Sequence, residues 1–217
     1  MKPVLFDLDG TLIDSVPDIA AALNRVLAAE AQAPFDLAEV TSFVGKGIAD
    51  LVARAMAARG LATTEHPRLT AAVLAAYQAD GASRTRIYPG VVPALEALRA
   101  RGHRLGICTN KPEPAARQIL DQLGLSPLFD VVLGGGRLAV LKPDPAPLLT
   151  AMAEIGGASI FVGDSEVDAE TARRADAPFL LYTEGYRKSP VEALPHLAAF
   201  EHFDALPDLV AAAAKDG

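Results

Sequence analysis

Asp7-Leu8-Asp9-Gly10-Thr11 follows a short apolar run, Val4-Leu5-Phe6, close to the start of the chain. The run reads as a buried strand, and residues two apart on a strand project in the same direction. Asp7 and Asp9 therefore leave the strand's carboxyl end together, where open α/β sheets bind their ligands. Gly10 allows a turn there that a side chain would obstruct. The set suits phosphoryl transfer. A carboxylate can attack phosphorus and form an aspartyl-phosphate. Nucleophile and phosphate repel one another, so a cation must sit between them, and Mg²⁺ prefers one or two carboxylates plus phosphate oxygens. The second acid can protonate the leaving oxygen and then deprotonate the attacking water. Taken alone, the same five residues also fit a solvated acidic turn.

Three later segments put polar groups at further strand ends. Thr109-Asn110-Lys111 offers hydroxyl, amide and backbone N–H groups to a phosphoryl oxygen, and equally fits the start of a helix. Lys142, ahead of Pro143-Asp144-Pro145, can neutralise phosphate charge without competing for Mg²⁺; alone it also fits a solvated lysine. Asp164, in Gly163-Asp164-Ser165-Glu166-Val167-Asp168, can complete a metal shell. Asp168, four residues on, can orient Lys142 or a metal-bound water. Both also fit a helix cap and its first turn. Acid, hydroxyl, amine and acid at four strand ends of one sheet point to a shared site.

The elements that position these groups follow from periodicity. Ser15-Val16-Pro17-Asp18 reads as a helix start, with Ser15 as cap and Asp18 completing a capping box. Ile19, Leu23, Val26 and Leu27 continue it as one apolar face. Asp14 reads as a polar residue near that start. Residues 15–86 read as wholly helical, with turns at Ala33-Pro34, Gly45-Lys46-Gly47 and Gly60 and no strand pattern. Strands over 104–108, 129–133, 159–162 and 179–182 then alternate with helices over 91–100, 114–123, 147–155 and 169–175. That alternation means parallel pairing with crossovers. The expected fold is α/β, a doubly wound parallel sheet with an inserted helical cap: core at 1–14 and 87–217, cap at 15–86. The end, 211–217, is expected to fray.

The chain has 217 residues, half of them hydrophobic, enough for one good-sized domain with a smaller insert. A net charge of −7 argues against a nucleic-acid partner. No apolar run approaches the ~18–20 residues of a membrane span, and Asp7 and Asp9 would interrupt a signal core. Cys108 is the sole cysteine, lies in an apolar run and reads as a core residue; no internal disulfide can form. The expectation is a cytoplasmic protein, monomer or homodimer, with no membrane partner and a small phosphorylated organic acid as substrate.

Asp7-x-Asp9-Gly10-Thr11, Thr109-Asn110, Lys142-Pro143 and Gly163-Asp164-Ser165-x-x-Asp168 resemble the four ordered motifs of the haloacid dehalogenase superfamily, over nearly the whole chain. The helical insert resembles the cap of its small-capped members. The resemblance implies Asp7 as nucleophile and metal ligand. It implies Asp9 as acid/base that lends a backbone carbonyl to Mg²⁺, Thr109 and Lys142 as phosphate holders, and Asp164 as metal ligand. A narrower resemblance joins Asp14-Ser15-Val16-Pro17-Asp18-Ile19, Cys108-Thr109-Asn110-Lys111-Pro112 and Lys142-Pro143-Asp144-Pro145 to the bacterial phosphoglycolate phosphatase family. It implies hydrolysis of 2-phosphoglycolate. Gly136-Arg137 departs from that family, which often has Asp after the paired glycines.

Dehalogenases of this fold, and phosphonoacetaldehyde hydrolases, lack the second acid that Asp9 supplies here. A phosphomutase, or a phosphatase for another small phosphate such as a sugar phosphate, shares the core and stays open. A signalling receiver domain has its phospho-accepting Asp on a later strand than its acidic pair, and no helical insert. For substrate choice, Gly45-Lys46-Gly47 precedes a helical stretch whose N–H groups can take a carboxylate, with Lys46 adding charge. An ordinary glycine turn with an exposed lysine reads equally well.

Overall fold

The computed structural model describes residues 1–81 and 83–214. In chain order the elements are β1 (Val4–Phe6), β2 (Ile13–Asp14), α1 (Val16–Ala29), α2 (Leu37–Phe43), α3 (Ile48–Arg59), α4 (His66–Asp80), β3 (Arg86–Ile87) and α5 (Val91–Ala100). They continue with β4 (Leu105–Pro112), α6 (Glu113–Gln122), β5 (Val131–Gly135), α7 (Ala146–Ile155), β6 (Ile160–Gly163), α8 (Glu166–Arg174), β7 (Phe179–Tyr182), β8 (Ala198–Phe200) and α9 (Leu206–Ala213).

Six strands form one parallel sheet in the order β5-β4-β1-β6-β7-β8. Strand β1 is central, with Phe6 beside Ile107 of β4 on one edge and Val162 of β6 on the other. The chain winds outward from β1 through β4 and β5, then crosses back to β6. The switch in winding direction therefore falls at β1, directly beneath Asp7 and Asp9.

The alternation of side chains explains why both faces are covered. Val4, Phe6, Leu105, Ile107, Ile160, Val162, Leu180 and Tyr182 join one core, with Leu95 of α5, Ile119 of α6 and Val210 of α9. Their neighbours Leu5, Cys108, Phe161, Phe179 and Leu181 point the other way, onto Leu148 of α7 and Ala169 of α8. Strands buried on both faces need apolar residues at every position, and β1, β6 and β7 are buried throughout. Helices α1 to α4 pack on one another around a separate cluster of Ile19, Leu23, Val40, Val52, Met56 and Val73. None of the described helices is long and apolar enough to cross a membrane.

Several local expectations need correction. Ser15 occupies the cap position of α1, but its side chain makes no cap bond; its hydroxyl goes to Asp9 instead. Asp18 completes no capping box. It is fully buried, and its carboxylate accepts hydrogen bonds from the backbone N–H groups of Arg84 and Thr85 and from the Thr85 hydroxyl. It thereby ties the first turn of α1 to the segment by which the chain returns from α4. The short ribbon of β2 with β3 pairs the same two crossings, with Ile13 opposite Ile87. Two-residue strands leave no readable alternation, which is why they were not expected. Strand β4 runs on to Pro112, so Thr109-Asn110-Lys111 is strand and not a helix start. Strand β8 and helix α9 were also not anticipated. Residues up to Ala213 belong to α9 instead of fraying, and 215–217 lie outside the described residues.

Candidate active site

Asp7 stands at the end of β1, its side chain 13 % exposed. The Lys142 ammonium lies 2.9 Å from Asp7 Oδ1, yet that oxygen accepts no directed hydrogen bond. The pair is held by charge and not by alignment. Burial pushes the Asp7 carboxyl up to about 7, with Lys142 opposing the rise and Asp168 adding to it. A carboxylate in that condition calls for a further cation or an electrophile beside it.

Lys142 is the opposite of a solvated lysine. Its side chain is 2 % exposed, and Nζ donates to Asp168 Oδ1 at 2.7 Å. Burial acts against its charge, but Asp168 and Asp7 outweigh it and the pKa is raised. Asn110 fixes the lysine's backbone, accepting from Lys142 N at 2.8 Å and donating to its carbonyl at 2.9 Å. The second Asp168 oxygen accepts from the Ser165 hydroxyl at 2.5 Å, within the capping box that starts α8. Asp168 is thus both a helix-start acid and the anchor of Lys142.

Asp164 follows β6 and is buried. Its Oδ1 accepts from the Thr11 hydroxyl at 2.7 Å and its Oδ2 from the Tyr186 backbone N–H at 2.6 Å. Burial, with Asp168 and Asp7 next, raises its pKa well above the usual range. Gly10, at φ +89°, passes under this carboxylate; a Cβ there would come 2.5 Å from Asp164 Oδ2. The glycine is therefore required both by its backbone angle and by the close approach.

Asp9 points into the same space as Asp7. Its Oδ1 accepts from the Ser15 hydroxyl at 2.5 Å and from Lys111 Nζ at 3.0 Å. Lys111 is buried and also reaches the Tyr77 hydroxyl on α4 at 2.8 Å. Thr109 is buried beside it, its Oγ1 accepting from the Lys111 backbone N–H. Asn110, besides holding Lys142, approaches the Gly45 carbonyl at 3.3 Å.

Two adjoining cavities share Asp7, Asp9 and Gly45 as a common wall. The smaller is lined by Thr109, Asn110, Lys111, Gly47, Tyr77 and apolar residues of α1, α3 and α4. The other is wider, and Asp164, Lys46, Arg54 and Lys188 line it. The structure thus gathers Asp7, Asp9, Thr109, Asn110, Lys142, Asp164 and Asp168 at one sheet edge, with Gly45 and Gly47 facing them. Lys46 is exposed and opens only onto the wider cavity.

Carboxylate oxygens of Asp7, Asp164 and Asp168 lie within 4.8 Å of one another. Asp168 has both oxygens engaged, by Lys142 and Ser165. Asp7 Oδ1 lacks a directed partner, and each Asp164 oxygen has one donor and a spare lone pair. A hard divalent cation fits this all-oxygen donor set between Asp7 and Asp164.

Tyr186, Lys111 and Tyr77 were missed from sequence. Tyr186 N–H holds Asp164, while its hydroxyl donates to Asp14 at 2.7 Å and accepts from Ser15 N–H. Nothing in the loop's composition marks it. Lys111 does carry a signal in the sequence, since it follows Thr109-Asn110 directly.

Residues 1–176 match the sequence profile of the haloacid dehalogenase-like hydrolases. The chain belongs to that family. Among relatives of this hydrolase, phosphoglycolate phosphatase of Cereibacter sphaeroides is 53% identical over 97% of this chain and 98% of its own length. Phosphoglycolate phosphatase of Rhodospirillum rubrum is 46% identical over 95% and 90%. Among solved structures, that of a predicted phosphoglycolate phosphatase from Haemophilus somnus superposes with a TM-score of 0.88. It is 30% identical, and the match covers 96% of this chain and 97% of that one. The doubly wound parallel sheet of this hydrolase is the expected fold class.

Proposed function

We propose that this hydrolase is a Mg²⁺-dependent phosphomonoesterase that converts 2-phosphoglycolate to glycolate and phosphate through an aspartyl-phosphate. The observation that carries the reading is the buried Asp7 oxygen without a directed hydrogen bond, with Asp9, Thr109, Lys142 and Asp164 around the same space.

Asp7 attacks phosphorus along the line opposite the leaving oxygen. Asp9, two residues on, protonates that oxygen as it departs. It then takes a proton from the water that attacks the acyl phosphate, which frees Asp7 and releases phosphate. Thr109 donates its hydroxyl to a phosphoryl oxygen. Lys142, locked by Asp168 and Asn110, balances charge that builds on the transferring group. Asp7, the backbone carbonyl of Asp9 and Asp164 would hold Mg²⁺, which supplies charge neutralisation between nucleophile and phosphate.

Residues 15–86 act as the cap on this reading, and 1–14 with 87–217 as the catalytic core. Gly45 and Gly47 close over the phosphate, and the Asn110 contact to Gly45 links that closure to Lys142. Lys46, with Arg54 and Lys188, gives the wider cavity a positive rim that draws in a dianion. The relatives named for phosphoglycolate hydrolysis share nearly the full length of the chain, which supports the same substrate here.

Initial rates over a panel of small phosphate monoesters, with Mg²⁺, test the reading. Phosphoglycolate should give the highest kcat/KM. A preference for sugar phosphates would overturn the substrate and spare the reaction; no hydrolysis of any monoester would overturn both.

A further inference from the structure

Both cavities contain Asp7 and Asp9, and the smaller one alone contains Thr109, Lys111 and Tyr77. On the reading above, which this inference rests on, the ester oxygen leaves within hydrogen-bond reach of Asp9. Beside Asp9, the group bonded to that oxygen has the smaller cavity to occupy, the one that Lys111 and Tyr77 also line. Its far wall is apolar: Ile19, Ile48, Leu51 and Leu74. Lys111 is the only basic residue that lines it among the described residues.

Lys111 has an unusual set of partners for a lysine. Its side chain is 4 % exposed. Nζ shares itself between Asp9 Oδ1 at 3.0 Å and Oδ2 at 3.3 Å, and donates to the Tyr77 hydroxyl at 2.8 Å. Asp9 does not depend on this contact, because Ser15 Oγ donates to it at 2.5 Å. The ammonium can therefore exchange Asp9 for another anion while Tyr77 and Ser15 keep both ends satisfied. A buried ammonium needs an anionic partner, and a substrate carboxylate supplies one in place of Asp9 when Asp9 carries the proton it will donate.

We propose that Lys111 is the specificity-determining residue of this site, and that it takes the carboxylate of a two-carbon phosphorylated acid whose ester oxygen faces Asp9. The short reach follows from the geometry. Nζ is one hydrogen-bond length from Asp9, so an anion two carbons from the ester oxygen meets Lys111 when that oxygen meets Asp9. A longer acid would drive its charge past Lys111 into the apolar wall. Lys46 lines the wider cavity and is exposed, so solvent screens its charge, whereas Lys111 is buried against Asp9. Tyr77, from α4, contributes the second contact, so the helical segment recognises the substrate through a residue that grips Lys111.

The test compares kcat/KM for 2-phosphoglycolate with that for ethyl phosphate, which has the same length and no carboxylate. Lys111→Met should lower the ratio of the two by about 10- to 150-fold, the range of a lost hydrogen bond between charged groups, chiefly through KM. Lys46→Ala should move the ratio far less, because an exposed charge is screened by solvent. Tyr77→Phe, which spares Asp9, serves if Lys111→Met does not fold; it should lower the same ratio about 2- to 10-fold. Equal losses on both substrates in Lys111→Met, or an unchanged ratio in Tyr77→Phe, would overturn the assignment and leave Lys111 a support for Asp9. The wild type separates this failure from that of the underlying reading. If it hydrolyses neither ester, the phosphatase reading falls. If it favours phosphoglycolate while the variants keep the ratio, only the role of Lys111 falls.

Discussion

Lys142 Nζ stands 2.9 Å from Asp7 Oδ1 without a directed hydrogen bond to it. The lysine is aimed instead at Asp168, at 2.7 Å. Asp7 thus feels a full positive charge at its buried oxygen. A nucleophile benefits from such a neighbour, which stabilises the charge that develops in the transition state.

Replacing Lys142 with Met should therefore do two things. Two buried carboxylates lose their counter-ion, which costs about 3–5 kcal/mol. At roughly 2–4 °C per kcal/mol for a chain of this size, the melting temperature should drop by about 6–20 °C. Turnover should collapse even where the variant is fully folded. Calorimetry and initial rates at low temperature check both, and a variant with native turnover would remove Lys142 from the chemistry.

Asp7→Asn keeps the shape and removes the nucleophile, so turnover should fall to background. Asp9→Asn should instead allow slow attack and stall hydrolysis of the intermediate. Rapid-quench labelling with a good leaving group should then find phosphate on Asp7. A normal dephosphorylation rate in Asp9→Asn would strip Asp9 of its second role.

The metal-free protein should lose stability as pH rises. Burial lifts Asp7 to about 7 and raises Asp164 well above its ordinary value of 3.8. Between about pH 4 and pH 7 the folded state therefore binds more protons than the unfolded chain, and the free energy of unfolding falls with increasing pH. In EDTA the melting temperature should decline across that window. Mg²⁺ added near neutral pH should raise it again and restore activity to the chelated enzyme. Asp164→Asn should abolish most of the Mg²⁺ effect. A melting temperature that climbs with pH in EDTA would contradict the ionisation assigned to this cluster.

Asp18 should matter for stability and not for chemistry. Its buried carboxylate accepts from Arg84 N, Thr85 N and the Thr85 hydroxyl, which clamps the two chain crossings at the base of α1. Asp18→Ala leaves those donors unpaired and should cost about 2–4 kcal/mol. The loss should appear in chemical denaturation. A change below about 0.5 kcal/mol would mean that the clamp is not holding.

The site was legible in the sequence to the extent that its chemistry sits at strand ends. Asp7 and Asp9 follow Val4-Leu5-Phe6, and Asp164 follows β6, so one apolar run and one turn place each acid on the binding edge. Parallel pairing follows from strand–helix alternation for the same local reason. Other features depend on contacts between residues far apart in the chain. Ser15 and Asp18 have the right spacing for a capping box, but Asp9 and Thr85 compete for their side chains, and tertiary partners win over local ones. Tyr186 holds Asp164 from a loop with no motif, because its backbone N–H, not its side-chain type, makes the bond. Lys46 looked like the cation for a carboxylate because a glycine turn carries it, whereas Lys111 lies buried within a strand. Which of them lines the smaller cavity depends on how α4 packs over β4, and that packing exists only once the helical cluster has assembled against the core of the sheet.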